Sequence, residues 1–198
     1  MKLLLKIFFI TLALFFLTFV VIQIFAIKTQ KNIETYKYTV EASYDSFEIR
    51  NYDSALFTSV KLPFFGFDKS SSKGFSILAG YIFGDNEENK KIAMTSPVTM
   101  TLQDSITMMF MVPNEYTEES LPKPSQSIIK IKNIESKKMA AISFGGWAND
   151  KKIELYKSKL ILSLESEGIL FSDKFLFFGY NAPYEFLNRK NEVLVELL

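Results

Sequence analysis

The chain changes its hydrophobic pattern twice. From Ile7 to Ile27 no charge interrupts a run rich in Leu, Ile, Phe and Val, about the length needed to cross a bilayer core as a helix. The run is apolar on every side and sits at the N-terminus behind Lys2 and Lys6, a placement that suits a membrane span or a signal peptide better than a core helix. It is longer than a usual signal core, and Ile24 is bulky where a small residue is preferred before a scission after Ala26. Residues 1–28 are therefore read as an uncleaved transmembrane anchor, with a cleaved signal as the alternative, and 29–35 as a polar linker. The short N-terminal tail favours an exported domain; cleavage would leave it secreted or periplasmic.

From residue 36 the period becomes that of a folded domain. Tyr38, Val40, Ala42 and Tyr44 alternate with polar residues, and Phe47 and Ile49 resume the pattern as one or two strands. Asn51–Ser54 reads as a turn into a partner strand at Leu56–Leu62, a first hairpin. Phe75, Leu78, Ala79 and Ile82 then fall on one helical face, with Ser70, Ser71 or Ser72 as cap and Gly84 as terminator. Two runs over 99–102 and 106–112 make a second hairpin. After a loop containing Leu121-Pro122-Lys123-Pro124, the runs at 129–132 and 139–144 make a third. A helix follows, capped by Asn149 or Asp150, striped by Ile153, Tyr156, Leu160 and Leu164 and closed by Gly168; strands at 175–180 and 192–197 end the chain.

Strand, strand, helix, strand, strand thus occurs twice. Each half alone would expose one sheet face and one helical stripe, and pairing the halves covers both. The expected fold is α+β: a distorted eight-stranded antiparallel β-barrel with two helices, built from two pseudo-symmetric ββαββ halves and preceded by a transmembrane helix.

Composition removes chemistries. Neither histidine nor cysteine occurs, so a Ser-His triad, a Cys nucleophile, thiolate zinc and histidine-ligated haem are excluded. Glu87-Glu88 and Glu118-Glu119 are adjacent acids in polar loops, and Asp85-Asn86-Glu87 lacks the glycine and distal Glu of a calcium loop. No metal site and no enzymatic activity are expected. Without Lys2, Lys6 and Lys28 the remainder is close to neutral, which leaves no electrostatic footprint for nucleic acid. Arg50, Arg189 and Glu192 stand among apolar strand residues and want partners; an ion pair stitching the halves is the reading taken. Twenty phenylalanines suit either a bulky core or a ring-lined pocket.

Gly80-Tyr81-Ile82-Phe83-Gly84 and Lys91-Ile92-Ala93-Met94-Thr95-Ser96-Pro97-Val98 resemble the central signature of the SOUL haem-binding family. Phe47–Tyr52, Leu121–Pro124, Phe144-Gly145-Gly146, Tyr180–Tyr184 and Arg189–Val193 resemble its other motifs, so the resemblance covers about residues 36–198, the extent taken for the domain. It implies the fold above and non-catalytic binding of haem or another tetrapyrrole or amphipathic ligand against the first helix, without an essential histidine. The site is then Lys73, Phe75, Leu78, Ala79, Ile82 and Met94, with Lys73 meeting a propionate and Met94, Tyr81, a lysine or water as the available axial ligands. The stripe Phe75, Leu78, Ala79 and Ile82 serves equally to pack a helix on a sheet. A protein-interaction or stress-response domain and a small-molecule sensor are the alternatives; a monomer is expected.

Overall fold

The computed structural model describes residues 2–30, 33–63, 66–103 and 105–198. In chain order they form α1 (Lys2–Gln30), β1 (Tyr38–Ser43), β2 (Glu48–Tyr52), β3 (Ala55–Pro63), α2 (Phe67–Ile82), β4 (Val98–Thr101), β5 (Ser105–Met111), β6 (Ile129–Ile134), β7 (Lys137–Gly145), α3 (Asp150–Ser166), β8 (Phe171–Gly179) and β9 (Lys190–Leu197). The apolar N-terminal run is a single helix whose side chains from Leu4 to Phe19 are exposed, so it does not serve as a core helix.

The nine strands make one antiparallel sheet in the order β1-β2-β7-β9-β8-β4-β5-β3-β6. This corrects the expected closed barrel of eight strands: the first alternating run is two strands, and β1 and β6 are free edges. The sheet is nevertheless curled. Lys132 of β6 and Met139 of β7 lie far apart in the strand order and yet line one groove.

Two of the expected hairpins are absent. β2 pairs with β1 and β7, while β3 pairs with β5 and β6, so each half passes its first strand to the neighbourhood of the other. The reason lies in the links. Asp53-Ser54 and Glu135-Ser136 each join two strands through two residues, but tight two-residue hairpins require positive φ, and none of these four residues has it. The chain therefore turns a corner. The hairpin β4–β5 forms as expected, and β8 pairs with β9.

Helix α2 begins earlier than its apolar stripe suggests. Gly66 turns the chain at φ +91, and the Phe67 N–H donates to Asp150 Oδ1 at 3.0 Å, so the serines expected as caps lie within the helix. α3 is capped as its sequence implies, Asn149 Oδ1 accepting the Lys152 N–H at 2.9 Å. Gly84 follows α2 at φ +119. A Cβ there would meet nothing closer than 3.6 Å, so Gly84→Val is expected to destabilise through backbone strain alone, by about 1–2 kcal/mol. An unchanged unfolding midpoint in a thermal scan would contradict this.

Period-two alternation divides the strands between two faces. One face takes Val60, Leu62, Met108, Ile142, Phe177, Val193 and Val195 into the main core beneath Leu78 and Ile82 of α2 and Ile153, Leu160 and Leu164 of α3. The opposite, concave face collects a smaller cluster around Tyr52, Phe57, Met139, Phe178 and Leu194. Central strand β9 is buried on both.

Candidate functional site

The concave face is chemically graded along its length. At one end Glu192, fully buried, receives Arg50 in a bidentate pair, Nη1 to Oε2 and Nη2 to Oε1, both at 3.0 Å. The Ser143 hydroxyl donates to Oε1 at 2.8 Å, Lys190 Nζ stands 3.0 Å from Oε1, and the Tyr180 hydroxyl donates to Oε2. Burial alone would raise the Glu192 carboxyl, but the Arg50 pair, aided by Tyr180 and Lys190, holds it below the usual carboxylate range. Arg50 also donates to Tyr52 Oη at 3.0 Å and lies over the Tyr38 ring. The expected ion pair between the halves is thus Arg50–Glu192. Arg189 is different, and this corrects its reading: it donates to the carbonyls of Ala182 and Glu185 and staples its own loop.

The middle of the face is filled by aromatic rings. Tyr36, the first domain residue expected from the sequence, is inserted between Tyr52 and Phe57, with centroids at 4.9 and 5.2 Å. The signature segment holds it there: Tyr36 N–H donates to Ser96 O at 2.9 Å, Ser96 N–H to Glu34 O at 2.9 Å, and Thr95 Oγ1 to Met111 O at 2.6 Å.

At the other end lies an open groove of about 460 Å³, within the roughly 300–1,000 Å³ typical of ligand pockets. Phe57, Met109, Met139, Leu176 and Phe178 make its apolar floor, and Lys132, Lys137 and Lys174, with Glu135 and Glu196, its charged rim. Lys137 and Lys174 share Glu196 at 2.7 and 3.7 Å, while Lys132 has no acidic partner among the described residues. Two hydroxyls of the lining are buried without a hydrogen-bond partner, Tyr36 Oη and Thr99 Oγ1. Burial, with a contribution from Asp53, pushes the Tyr36 hydroxyl up to about 12, so it stays protonated and able to donate. Buried polar atoms without partners are uncommon, and two lining one groove are suited to a ligand's polar edge.

The residues expected from the sequence fall elsewhere, on the opposite face. Leu78, Ala79 and Ile82 are buried against the sheet. Phe75 is half-buried, its ring 5.4 Å from that of Phe110, and Met94 is half-buried against the same core. Lys73 is exposed. Tyr81, considered as an axial ligand, donates to Pro122 O at 2.7 Å, and burial pushes its hydroxyl up to about 12, with smaller contributions from Tyr116 and Glu88. The groove residues were missed because they are contributed by seven strands, β3 to β9. A signal was the polar side of those strands: Ser59, Thr99, Thr101 and Thr107 all line the groove.

A curled single antiparallel sheet with two helices on one face defines a class of α+β domain found in proteins of very different sequence. The C-terminal domain of EcmrR superposes with TM-score 0.61 at 10% identity, over 81% of this chain and 98% of that one. A Listeria innocua structure described as a hydrolase gives 0.56 at 13%, over 80% and 94%. Sequence narrows the class: the chain belongs to the SOUL heme-binding protein family, whose model matches residues 33–196. Mouse heme-binding protein 2 is 32% identical over 157 residues, 75% of this chain and 76% of the relative; Xenopus laevis heme-binding protein 1 is 30% identical over 156, 75% and 82%.

Proposed function

We propose that the chain binds haem or a related amphipathic tetrapyrrole without transforming it, and that the ligand enters the concave groove. Family membership supports the ligand class. The observation that carries the location is the pair of partnerless hydroxyls, Tyr36 and Thr99, beside an apolar floor. A flat ring system would cover Phe57, Met109 and Phe178, a carboxylate would meet Lys132, and either hydroxyl would donate to a polar edge. Met109 and Met139 offer only thioether sulfur, a weak acceptor, so loosely held haem is expected. We propose further that α1 remains as an uncleaved membrane anchor: its Leu4–Gln23 stretch is long and apolar enough to cross, and its side chains from Leu4 to Phe19 are exposed.

Haemin titration of the full chain, followed at the Soret band, tests the site. Thr107→Trp, which fills the groove from a half-exposed position, is expected to weaken binding by tenfold or more, about 1.4 kcal/mol. Lys73→Glu on α2 should leave it unchanged. The reverse ranking would move the ligand to the helix, and no saturable change with the unaltered chain at micromolar concentration would favour the protein-interaction reading.

A further inference from the structure

The loop between β8 and β9 joins the folded domain to α1 by contacts that the groove does not involve. Gln23, buried on a helix whose side chains from Leu4 to Phe19 are exposed, donates from Nε2 to Tyr184 O at 3.0 Å and accepts the Phe186 N–H on Oε1 at 3.1 Å. One turn earlier, the Phe19 ring lies 5.9 Å from that of Phe186. Phe186 in turn lies 5.9 Å from Trp147, which carries the Arg189 guanidinium 3.9 Å from its ring centre.

The loop turns its polar groups inward. Glu185 is buried and accepts from Asn181 Nδ2 at 2.7 Å and from the Ala182 N–H at 3.3 Å; Arg189 takes the Ala182 and Glu185 carbonyls. Apolar residues point out: Trp147, Tyr184, Phe186 and Leu187 are each 52–54% exposed. Large rings facing outward over a loop whose Asn181, Ala182 and Glu185 carbonyls are taken by Arg189 suit a membrane–water boundary, where aromatic residues concentrate.

We propose that this aromatic face rests in the headgroup region of the bilayer that α1 crosses, so that the domain lies on the membrane in a fixed orientation. This rests on the reading of α1 as a retained anchor. The depth follows from the helix. The uncharged run from Ile7 to Ile27 makes about 30 Å of helix at 1.5 Å per residue, equal to the hydrocarbon thickness. Gln23 then lies roughly 6 Å inside the boundary at Ile27, and the loop that it holds is brought close to that boundary. Gln23, a polar residue one turn before the end of the run, supplies two hydrogen bonds to the loop backbone, to Tyr184 O and from the Phe186 N–H.

Trp147 is the chain's sole tryptophan and reports directly on the contact. The full chain is reconstituted into phosphatidylcholine vesicles containing a nitroxide-labelled lipid, with the label either near the headgroup or deep in the acyl chain. The expected result is blue-shifted emission, loss of most intensity with the shallow label, weaker quenching with the deep one, and protection from iodide. Phe186→Asp should abolish the shallow quenching while the chain still floats with the vesicles after a carbonate wash. A chain that floats but whose Trp147 remains open to iodide and untouched by either label overturns the docking and leaves the anchor standing. Blue-shifted emission without lipid quenching would assign the face to a protein contact and overturn it equally. Failure to float removes anchor and docking together.

Discussion

Glu192→Gln is expected to destabilise the domain by about 3–5 kcal/mol, the range for removing one partner of a buried ion pair. The carboxylate is fully buried and receives Arg50, Ser143 and Tyr180 at once. Its replacement leaves the buried Arg50 guanidinium with Glu48, whose side chain is partly exposed, as its one acidic partner among the described residues. A thermal scan of the full chain at neutral pH measures the loss; a midpoint shift of a degree or less would show that the pair is not worth its burial. The pH dependence has a definite sign. Because the folded-state pKa is lowered, the contribution is present above the unfolded value, about 4.3 for Glu, and disappears as pH falls through the folded one. The gap between the parent chain and Glu192→Gln should therefore narrow on acidification. Arg50→Met combined with Glu192→Leu should regain part of the loss, since apolar replacements remove both charges from the interior.

Leu78→Glu is expected to unfold the domain rather than to report on a ligand. Leu78 is wholly buried between α2 and the sheet. Truncating such a leucine to alanine alone costs about 2–5 kcal/mol, and a carboxylate there would also lack a partner. With a typical domain stability of roughly 5–15 kcal/mol, little native protein should remain by circular dichroism. A folded, cooperative Leu78→Glu chain would mean that α2 does not pack as described.

Leu78 also shows what the sequence makes legible. Period and caps locate α2 and α3 within a few residues, because a stripe at 3.6 spacing followed by Gly has few other structures open to it. Periodicity does not say what covers the stripe, and the same residues serve a core or a ligand equally well. The strand runs were legible for the same reason, but their partners were not. Asp53-Ser54 and Glu135-Ser136 look like ordinary turns; only the lack of glycine or asparagine in either pair signals that the strands part there. Tyr36 reads only as the first residue after a polar linker, yet its ring closes the middle of the concave face, and nothing local marks that role. The groove is the least legible feature, since residues from β3 to β9 converge only after the sheet has curled.

The exchange of first strands also bears on synthesis. As the chain leaves the ribosome, β2 is made some ninety residues ahead of β7, with which it pairs from Glu48↔Ala141 to Tyr52↔Lys137. β3 waits similarly for β6, whose pairing with it includes Thr58↔Ile131. Contacts so distant in sequence must close large loops before they contribute, which slows folding. The first half alone can assemble β3, β4 and β5 beneath α2, but it holds open edges until the second half emerges. Its early translation products are thus the aggregation-prone species, and with α1 inserted as proposed above, those edges would be waiting beside the bilayer.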